Sequence, residues 1–179
     1  MENDLINLAY TFYPKGVYGL DEDYNKTKEI FKLRNHCKSV IESKYEIWIE
    51  ILRKIESRFK GSMNVFDTTN FFISKPSFSC ELIYSTDDKK VILEIFRSFL
   101  IPYFYISENT YYENSLINHT INSFTNFPTF ISESVKLIAH ESTLIPSELL
   151  CKVVPNVSFD TIGFGDFVLQ HAFFNKEKL

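Results

Sequence analysis

Two apolar runs separated by a polar turn constrain the fold more than any other part of the sequence. The first run covers residues 78–84 (FSCELIY) and the second covers residues 91–100 (VILEIFRSFL). Residues 85–90 (STDDKK) lie between them. Apolar runs rich in β-branched and aromatic residues on either side of a short polar segment are typical of neighbouring antiparallel strands. The pattern therefore predicts a hairpin at the centre of a sheet.

A long stretch with helical periodicity precedes this hairpin. The acidic run 21–23 suits the positive end of a helix that begins nearby. Between residues 30 and 59 apolar residues recur at spacings of three and four, and no glycine or proline interrupts residues 20–60. This stretch predicts either one long amphipathic helix or two helices with a bend near residues 39–43. Trp48, the only tryptophan, lies in the apolar stripe and is expected to anchor the core.

The remaining segments complete the prediction of the fold. They comprise a strand at 65–73 before the hairpin, a strand at 103–106 that extends towards 111–112, a loop at 113–126, a helix at 127–140, a short helix at 145–150, and a C-terminal strand or short helix at 167–174. The sequence thus predicts an α+β fold, in which an N-terminal long helix or helix pair packs on a mainly antiparallel β-meander. We expect residues 1–179 to form a single globular domain.

The cysteines and the apolar segments bear on the compartment. Cys37, Cys80 and Cys151 are odd in number and widely spaced, which favours buried thiols in a reducing compartment over a disulfide framework. The N-terminus shows no basic segment followed by an apolar run of the secretory type. The strongest apolar run, at 99–106, is too short for a membrane helix and contains Pro102. We therefore expect a cytoplasmic protein with no membrane partner.

No local motif in the sequence carries chemistry. The His140-Glu141 pair lacks the second histidine of a helical zinc site, because position 144 is leucine. The glycines of the 163–165 segment lack the third glycine of a dinucleotide-binding loop, and no serine lies in a nucleophile elbow. We expect no catalytic residue, no cofactor and no metal. A site assembled only by the tertiary fold around His119, His140 or His171 stays open as an alternative.

Acidic residues are concentrated in the second part of the chain. Residues 61–179 hold 8 Lys and Arg against 13 Asp and Glu. One interpretation is a solvated acidic surface, and the other is a face that attracts a basic partner by long-range steering. Nucleic acid is disfavoured as a partner, because its phosphates would be repelled. The candidate partner-binding residues are Glu108, Glu113, Glu133, Asp160 and Asp166, which we expect to point outward from loops, strand ends and a helix start.

Several segments carry a resemblance to a known group of proteins. They are residues 13–16 (YPKG), 48–52 (WIEIL), 65–67 (VFD), 79–82 (SCEL), 98–104 (SFLIPYF), 154–157 (VPNV) and 165–174 (GDFVLQHAFF). With these segments the chain resembles small bacterial immunity proteins of polymorphic toxin systems, including contact-dependent growth inhibition. The resemblance implies a cytoplasmic protein that binds and neutralises a cognate toxin domain, and it implies no catalytic residues. The chain departs from the family pattern at Ile101, where a glycine is expected, and at 176–178 (KEK), where an acidic residue is expected.

Three classes of function therefore remain open. The leading hypothesis is an immunity protein that binds a basic toxin domain. The alternative is a small hydrolase-like enzyme with a histidine-containing site. A third class, an oligomeric module, is motivated by the aromatic content of 18 Phe, 10 Tyr and 1 Trp. The sequence does not determine the oligomeric state.

Overall fold

The computed structural model describes residues 1–71, 75–86, 88–112, 115–123 and 127–174, apart from the side chain of His119. By its internal contacts the chain divides into two compact units. Unit 1 consists of Met1–Glu42, Phe71–Pro76 and Pro146–Leu179, and unit 2 consists of Ser43–Asn70 and Ser77–Ile145. That all 179 residues form one domain stays a prediction.

The fold class is α+β, as the sequence predicted. The helices are α1 (Glu2–Ala9), a 3-10 helix (Tyr24–Lys26), α2 (Lys28–Arg58), α3 (Thr129–Ala139), α4 (Ser147–Leu150) and α5 (Leu169–Phe173). The strands are β1 (Asn64–Asp67), β2 (Ser77–Ser85), β3 (Lys90–Ser98), β4 (Tyr103–Tyr112), β5 (Ser115–Thr120) and β6 (Thr143–Leu144). No helix of the described part of the chain is long and apolar enough to cross a bilayer.

The long N-terminal stretch forms one continuous helix, α2, which settles the alternative between one helix and two. Its N-terminus is capped by Thr27, whose backbone is extended and whose Oγ1 accepts a hydrogen bond from the Ile30 N–H at 3.4 Å. The helix ends at Arg58, before Gly61 adopts a positive φ of 86°. Residues 28–42 of α2 belong to unit 1 and residues 43–58 belong to unit 2.

The predicted central hairpin is confirmed. Strands β1 to β5 form a meander in the order β1-β2-β3-β4-β5, and each neighbouring pair is antiparallel. In the hairpin Leu82 faces Leu93 across the two strands. Strand β3, the second strand of the hairpin, ends at Ser98 and not at Leu100 as the apolar run suggested. The Ser98 Oγ accepts a hydrogen bond from the Leu100 N–H at 3.1 Å just beyond the end of the strand. The short strand β6 adds a parallel pairing to β4.

Two expectations about the sheet need correction. The first strand covers only Asn64–Asp67, while residues 72 and 73 of the predicted strand lie outside the described residues. The predicted loop 113–126 contains β5, which pairs with β4. Its Asn and Ser content suggested a loop, but the strand is supported by a polar ladder in which the Asn118 amide donates to Asn109 and the Asn109 amide donates to Glu94 at 3.2 Å.

The core of unit 2 lies between one face of the sheet and two helix segments. Because side chains alternate along a strand, Phe78, Tyr84 and their cross-strand neighbours share one face. The ring of Trp48 on α2 stacks on Phe78 with centroids 5.2 Å apart and an angle of 10°. Phe130 on α3 meets Tyr84 edge to face at 5.8 Å. In residues 43–58 the apolar stripe of α2 therefore faces the sheet, as predicted for Trp48.

The core of unit 1 is built around aromatic side chains, and its described residues form no sheet of their own. Tyr13 is fully buried, and its hydroxyl donates a hydrogen bond to the Ala172 carbonyl at 2.9 Å. The Tyr24 hydroxyl donates to the Ser158 carbonyl at 2.9 Å. The Tyr13 and Phe167 rings lie 4.9 Å apart. Of the two alternatives for the C-terminal element, the structure shows a short helix, α5.

We predict that Trp48→Ala lowers the free energy of unfolding by about 3–5 kcal/mol, because it removes a side chain that is 1% exposed and stacked on Phe78. The matched control is Ile47→Ala on the same helix, where the side chain is 58% exposed. Its expected loss is about 0.5 kcal/mol or less. Urea denaturation followed by far-UV circular dichroism measures both variants, and equal losses would contradict the orientation of α2.

Candidate binding surface

The histidines that the structure describes serve local structure or lie at the surface. His171 is 3% exposed, and its Nδ1 accepts a hydrogen bond from the Val168 N–H at 3.1 Å, which caps the first turn of α5. His140 is exposed and ends α3 with a φ of 50°. The His36 ring lies 6.0 Å from that of Phe12. His119 belongs to β5, and its side chain lies outside the described part of the structure.

Two of the three thiols are buried in apolar surroundings. Burial raises the pKa of Cys37 to about 12 and raises the pKa of Cys80 still further. Both therefore stay protonated at neutral pH, which disfavours a nucleophilic role. Cys151 is exposed. Within the described ranges no three His, Cys, Asp or Glu residues are grouped so that they could hold a metal ion.

The Asp67 carboxylate in unit 2 is held by several hydrogen bonds. It accepts hydrogen bonds from the Tyr45 hydroxyl at 2.7 Å, the Trp48 Nε1 at 3.0 Å and the Thr69 N–H at 3.1 Å. Partial burial acts to raise the pKa of Asp67, but the bonds from Thr69, Tyr45 and Trp48 outweigh it and hold the pKa below its usual value. These contacts connect α2 to the end of β1, so we assign Asp67 a structural role.

Among the candidate partner-binding residues, Glu108 differs from expectation. It lies within β4, only 8% exposed, and its carboxylate accepts a hydrogen bond from the Thr110 hydroxyl at 2.7 Å. Burial raises the pKa of the nearby Tyr84 to about 12, and the Glu108 charge adds to that increase. The expectation that Glu108 points outward is therefore wrong, because strand alternation turns it to the covered face of the sheet.

A further candidate, Glu133, offers little to a steering surface. The Glu133 carboxylate forms an ion pair of 2.6 Å with Arg58, which connects α3 to the end of α2. Its charge is thus already partly compensated within unit 2. Glu113 lies outside the described residues.

Asp160 and Asp166 are both exposed in unit 1, as expected. Asp160 lies in a turn with a φ of 52°, directly against Gly19. The contact is so close that a Cβ atom on Gly19 would lie 2.5 Å from the Asp160 backbone nitrogen. The Ser158 hydroxyl also accepts a hydrogen bond from the Gly19 N–H. Two loops, around residues 18–20 and 158–166, are thereby joined.

Exposed apolar side chains accompany these two carboxylates. The ring of Tyr18 lies 6.1 Å from that of Phe164, and these side chains are 37% and 46% exposed. Leu20, on the other side of Gly19, is 61% exposed. We call the set Tyr18, Leu20, Asp160, Phe164 and Asp166 the aromatic–acidic surface. Two of the five predicted carboxylates, Asp160 and Asp166, thus lie exposed on the same loop as Phe164, and this loop contacts the loop that carries Tyr18.

Sequence reasoning missed the apolar members of this surface. Tyr18 and Phe164 are 146 positions apart, and only the tertiary fold makes them neighbours. The one local signal was an aromatic residue beside glycine in both segments, Tyr18-Gly19 and Gly163-Phe164-Gly165. Because glycine has no Cβ, another backbone segment can pack directly against it, and the Asp160 backbone packs against Gly19 in this way.

Comparisons with protein-family models, with curated proteins and with solved structures find no match for this chain. The functional assignment therefore depends on the residues and their geometry.

We predict that Asp67→Ala lowers the free energy of unfolding at pH 7 by about 1–3 kcal/mol, because it leaves buried donors such as the Trp48 N–H unpaired. Since folding lowers the pKa of Asp67, its contribution is present above the usual carboxyl pKa and is lost as the pH falls through the folded-state value. Urea denaturation at a series of pH values measures this dependence. Between pH 7 and pH 3 the free energy of unfolding should fall less for Asp67→Ala than for the parent protein. The control is Asp23→Ala, which removes only an exposed pairing to Lys26. A pH profile for Asp67→Ala parallel to that of the parent would contradict the assignment.

We predict that Gly19→Ala destabilises unit 1, because its Cβ would meet the Asp160 nitrogen at 2.5 Å and the Asp160 carbonyl oxygen at 2.7 Å. Both are backbone atoms that cannot rotate away, so we expect a loss of about 2 kcal/mol or more. Gly163→Ala is the matched control, since its Cβ has only the Asp166 carboxylate at 3.9 Å. Thermal unfolding of both variants gives the comparison, and a Gly19→Ala protein as stable as Gly163→Ala would refute the close approach.

Proposed function

We propose that the protein is a cytoplasmic immunity-type protein that binds and neutralises a cognate bacterial toxin domain. The observation that carries this proposal is the aromatic–acidic surface of unit 1. It combines three exposed apolar side chains with two exposed carboxylates on loops that are joined by backbone contacts. Such a combination suits binding of a protein with a basic surface better than it suits chemistry.

The chemistry of the surface fits the anatomy of protein interfaces. Tyrosine and other aromatic side chains supply most of the energy in many interfaces, and polar groups form the rim around them. The Tyr18 and Phe164 rings provide such a centre, and Asp160 and Asp166 add negative charge on the loop that carries Phe164. Aromatic faces next to carboxylates suit the Lys and Arg side chains of a basic partner.

The net charge of the chain also favours a basic partner. The sequence carries a formal net charge of −4, and the segment 158–166 contains two aspartates and no lysine or arginine. Complementary charge raises the rate of association and suppresses wrong partners. An immunity protein must capture its toxin quickly, so electrostatic steering is a useful property for it.

The test of the proposal begins with the gene immediately upstream. If it encodes a toxin domain, that domain and this protein are purified separately, mixed and examined by isothermal titration calorimetry. We expect a complex of one to one stoichiometry, and we expect the toxin activity to be lost on binding. Absence of a complex at micromolar concentrations would overturn the proposal.

We predict that the double variant Asp160→Lys/Asp166→Lys slows association with the basic toxin domain by about threefold to tenfold at low ionic strength. The effect should shrink at high ionic strength, because salt screens exposed charges. Stopped-flow fluorescence or surface plasmon resonance measures the association rate. The matched control is Glu46→Lys/Glu50→Lys, which changes the net charge equally at two exposed positions of α2 in unit 2. Equal slowing in both double variants would mean that net charge matters and that this surface does not.

A further inference from the structure

The tip of the β4–β5 hairpin in unit 2 exposes apolar side chains on both faces of the sheet. Tyr111 faces Leu116 across the hairpin, and Thr110 faces Ile117. The exposed fractions are 40% for Tyr111, 57% for Leu116 and 49% for Ile117. Since neighbouring residues of a strand point to opposite faces, Leu116 and Ile117 expose apolar surface on different faces. One covering element on a single face would not bury both.

Strand β5 is also an edge of the sheet. In the described part of the chain it pairs with β4 alone, so its other edge presents backbone N–H and C=O groups. Exposed edges are usually protected by lysine, proline or a bulge. The sequence of β5, SLINHT, contains no proline, lysine, arginine or carboxylate. An unprotected edge with exposed apolar side chains favours the addition of another strand.

We propose that this edge pairs with β5 of a second copy of the same chain, which extends the sheet across a two-fold axis. Charge favours this occupant over the basic partner of the aromatic–acidic surface, because β5 has no carboxylate to attract a basic strand. Two neutral strands can also meet without placing like charges opposite each other, although each chain carries a net charge of −4. This inference goes beyond the proposed function and does not depend on it.

The two-fold symmetry restricts the register of the added strand. An antiparallel pair of identical strands in one continuous sheet places one residue opposite its own copy. A register centred on Ile117 puts the two Ile117 side chains opposite each other on one face, and it puts Leu116 opposite Asn118 on the other face. Apolar β-branched pairs of this kind stabilise a sheet. The backbone groups of the edge are then paired, and the two Ile117 side chains pack against each other.

The first experiment measures the oligomeric state of the full chain. Analytical ultracentrifugation of the parent protein at tens of micromolar should give a dimer. Ile117→Lys should weaken the dimer by about tenfold or more, because it places two like charges opposite each other on the two-fold axis. Phe31→Lys, which changes a 66% exposed apolar residue of α2 in unit 1, should leave the dimer intact. A monomeric parent protein, or a dimer unaffected by Ile117→Lys, would overturn the proposal.

The second experiment tests the register and does not depend on a disruptive charge. In a Cys151→Ser background the remaining cysteines, Cys37 and Cys80, are buried. Ile117→Cys should then form an intermolecular disulfide on mild oxidation, since facing residues of an antiparallel pair have Cα atoms about 4.5–5.5 Å apart. Ser115→Cys is the control, because its copy would lie about 14 Å away along the strand at 3.4 Å per residue. Failure of Ile117→Cys to cross-link faster than Ser115→Cys would refute the β5 pairing.

Discussion

The antiparallel register of β2, β3 and β4 is the constraint on which unit 2 depends. Because side chains alternate along a strand, this register places Leu82 beside Leu93 and aligns Phe78 and Tyr84 on the same face. Trp48 and Phe130 contact that face from α2 and α3. A slip by one residue would turn the apolar set to the opposite face and remove both contacts.

Unit 1 is held together by different interactions. It has no sheet of its own among the described residues, and its buried tyrosines donate hydrogen bonds to distant carbonyls, as Tyr13 does to Ala172 and Tyr24 does to Ser158. The close contact of Gly19 with Asp160 joins two surface loops. These connections support Tyr18 and Phe164 while leaving the rings exposed, which is the arrangement that a binding surface requires.

Polar and reactive side chains in the described structure mostly stabilise the fold. Asp67 accepts hydrogen bonds from α2, His171 caps α5, and Cys80 is buried within the sheet. Glu133 pairs with Arg58 on a neighbouring helix. In unit 1, by contrast, Asp160 and Asp166 lie exposed on a surface loop. The acidic excess of the second part of the chain is therefore divided between internal contacts and surface charge.

The sequence by itself determined the elements whose signal is local. Helical periodicity located α2 and the role of Trp48, and the paired apolar runs located the central hairpin, because each depends on spacings within a few residues. Only the tertiary structure decided the existence of β5, the burial of Glu108 and the contact between Tyr18 and Phe164. A polar strand gains its stability from a neighbouring strand, and a carboxylate is exposed or buried by what packs over it. These features depend on residues far apart in the chain, so spacing along the sequence does not encode them.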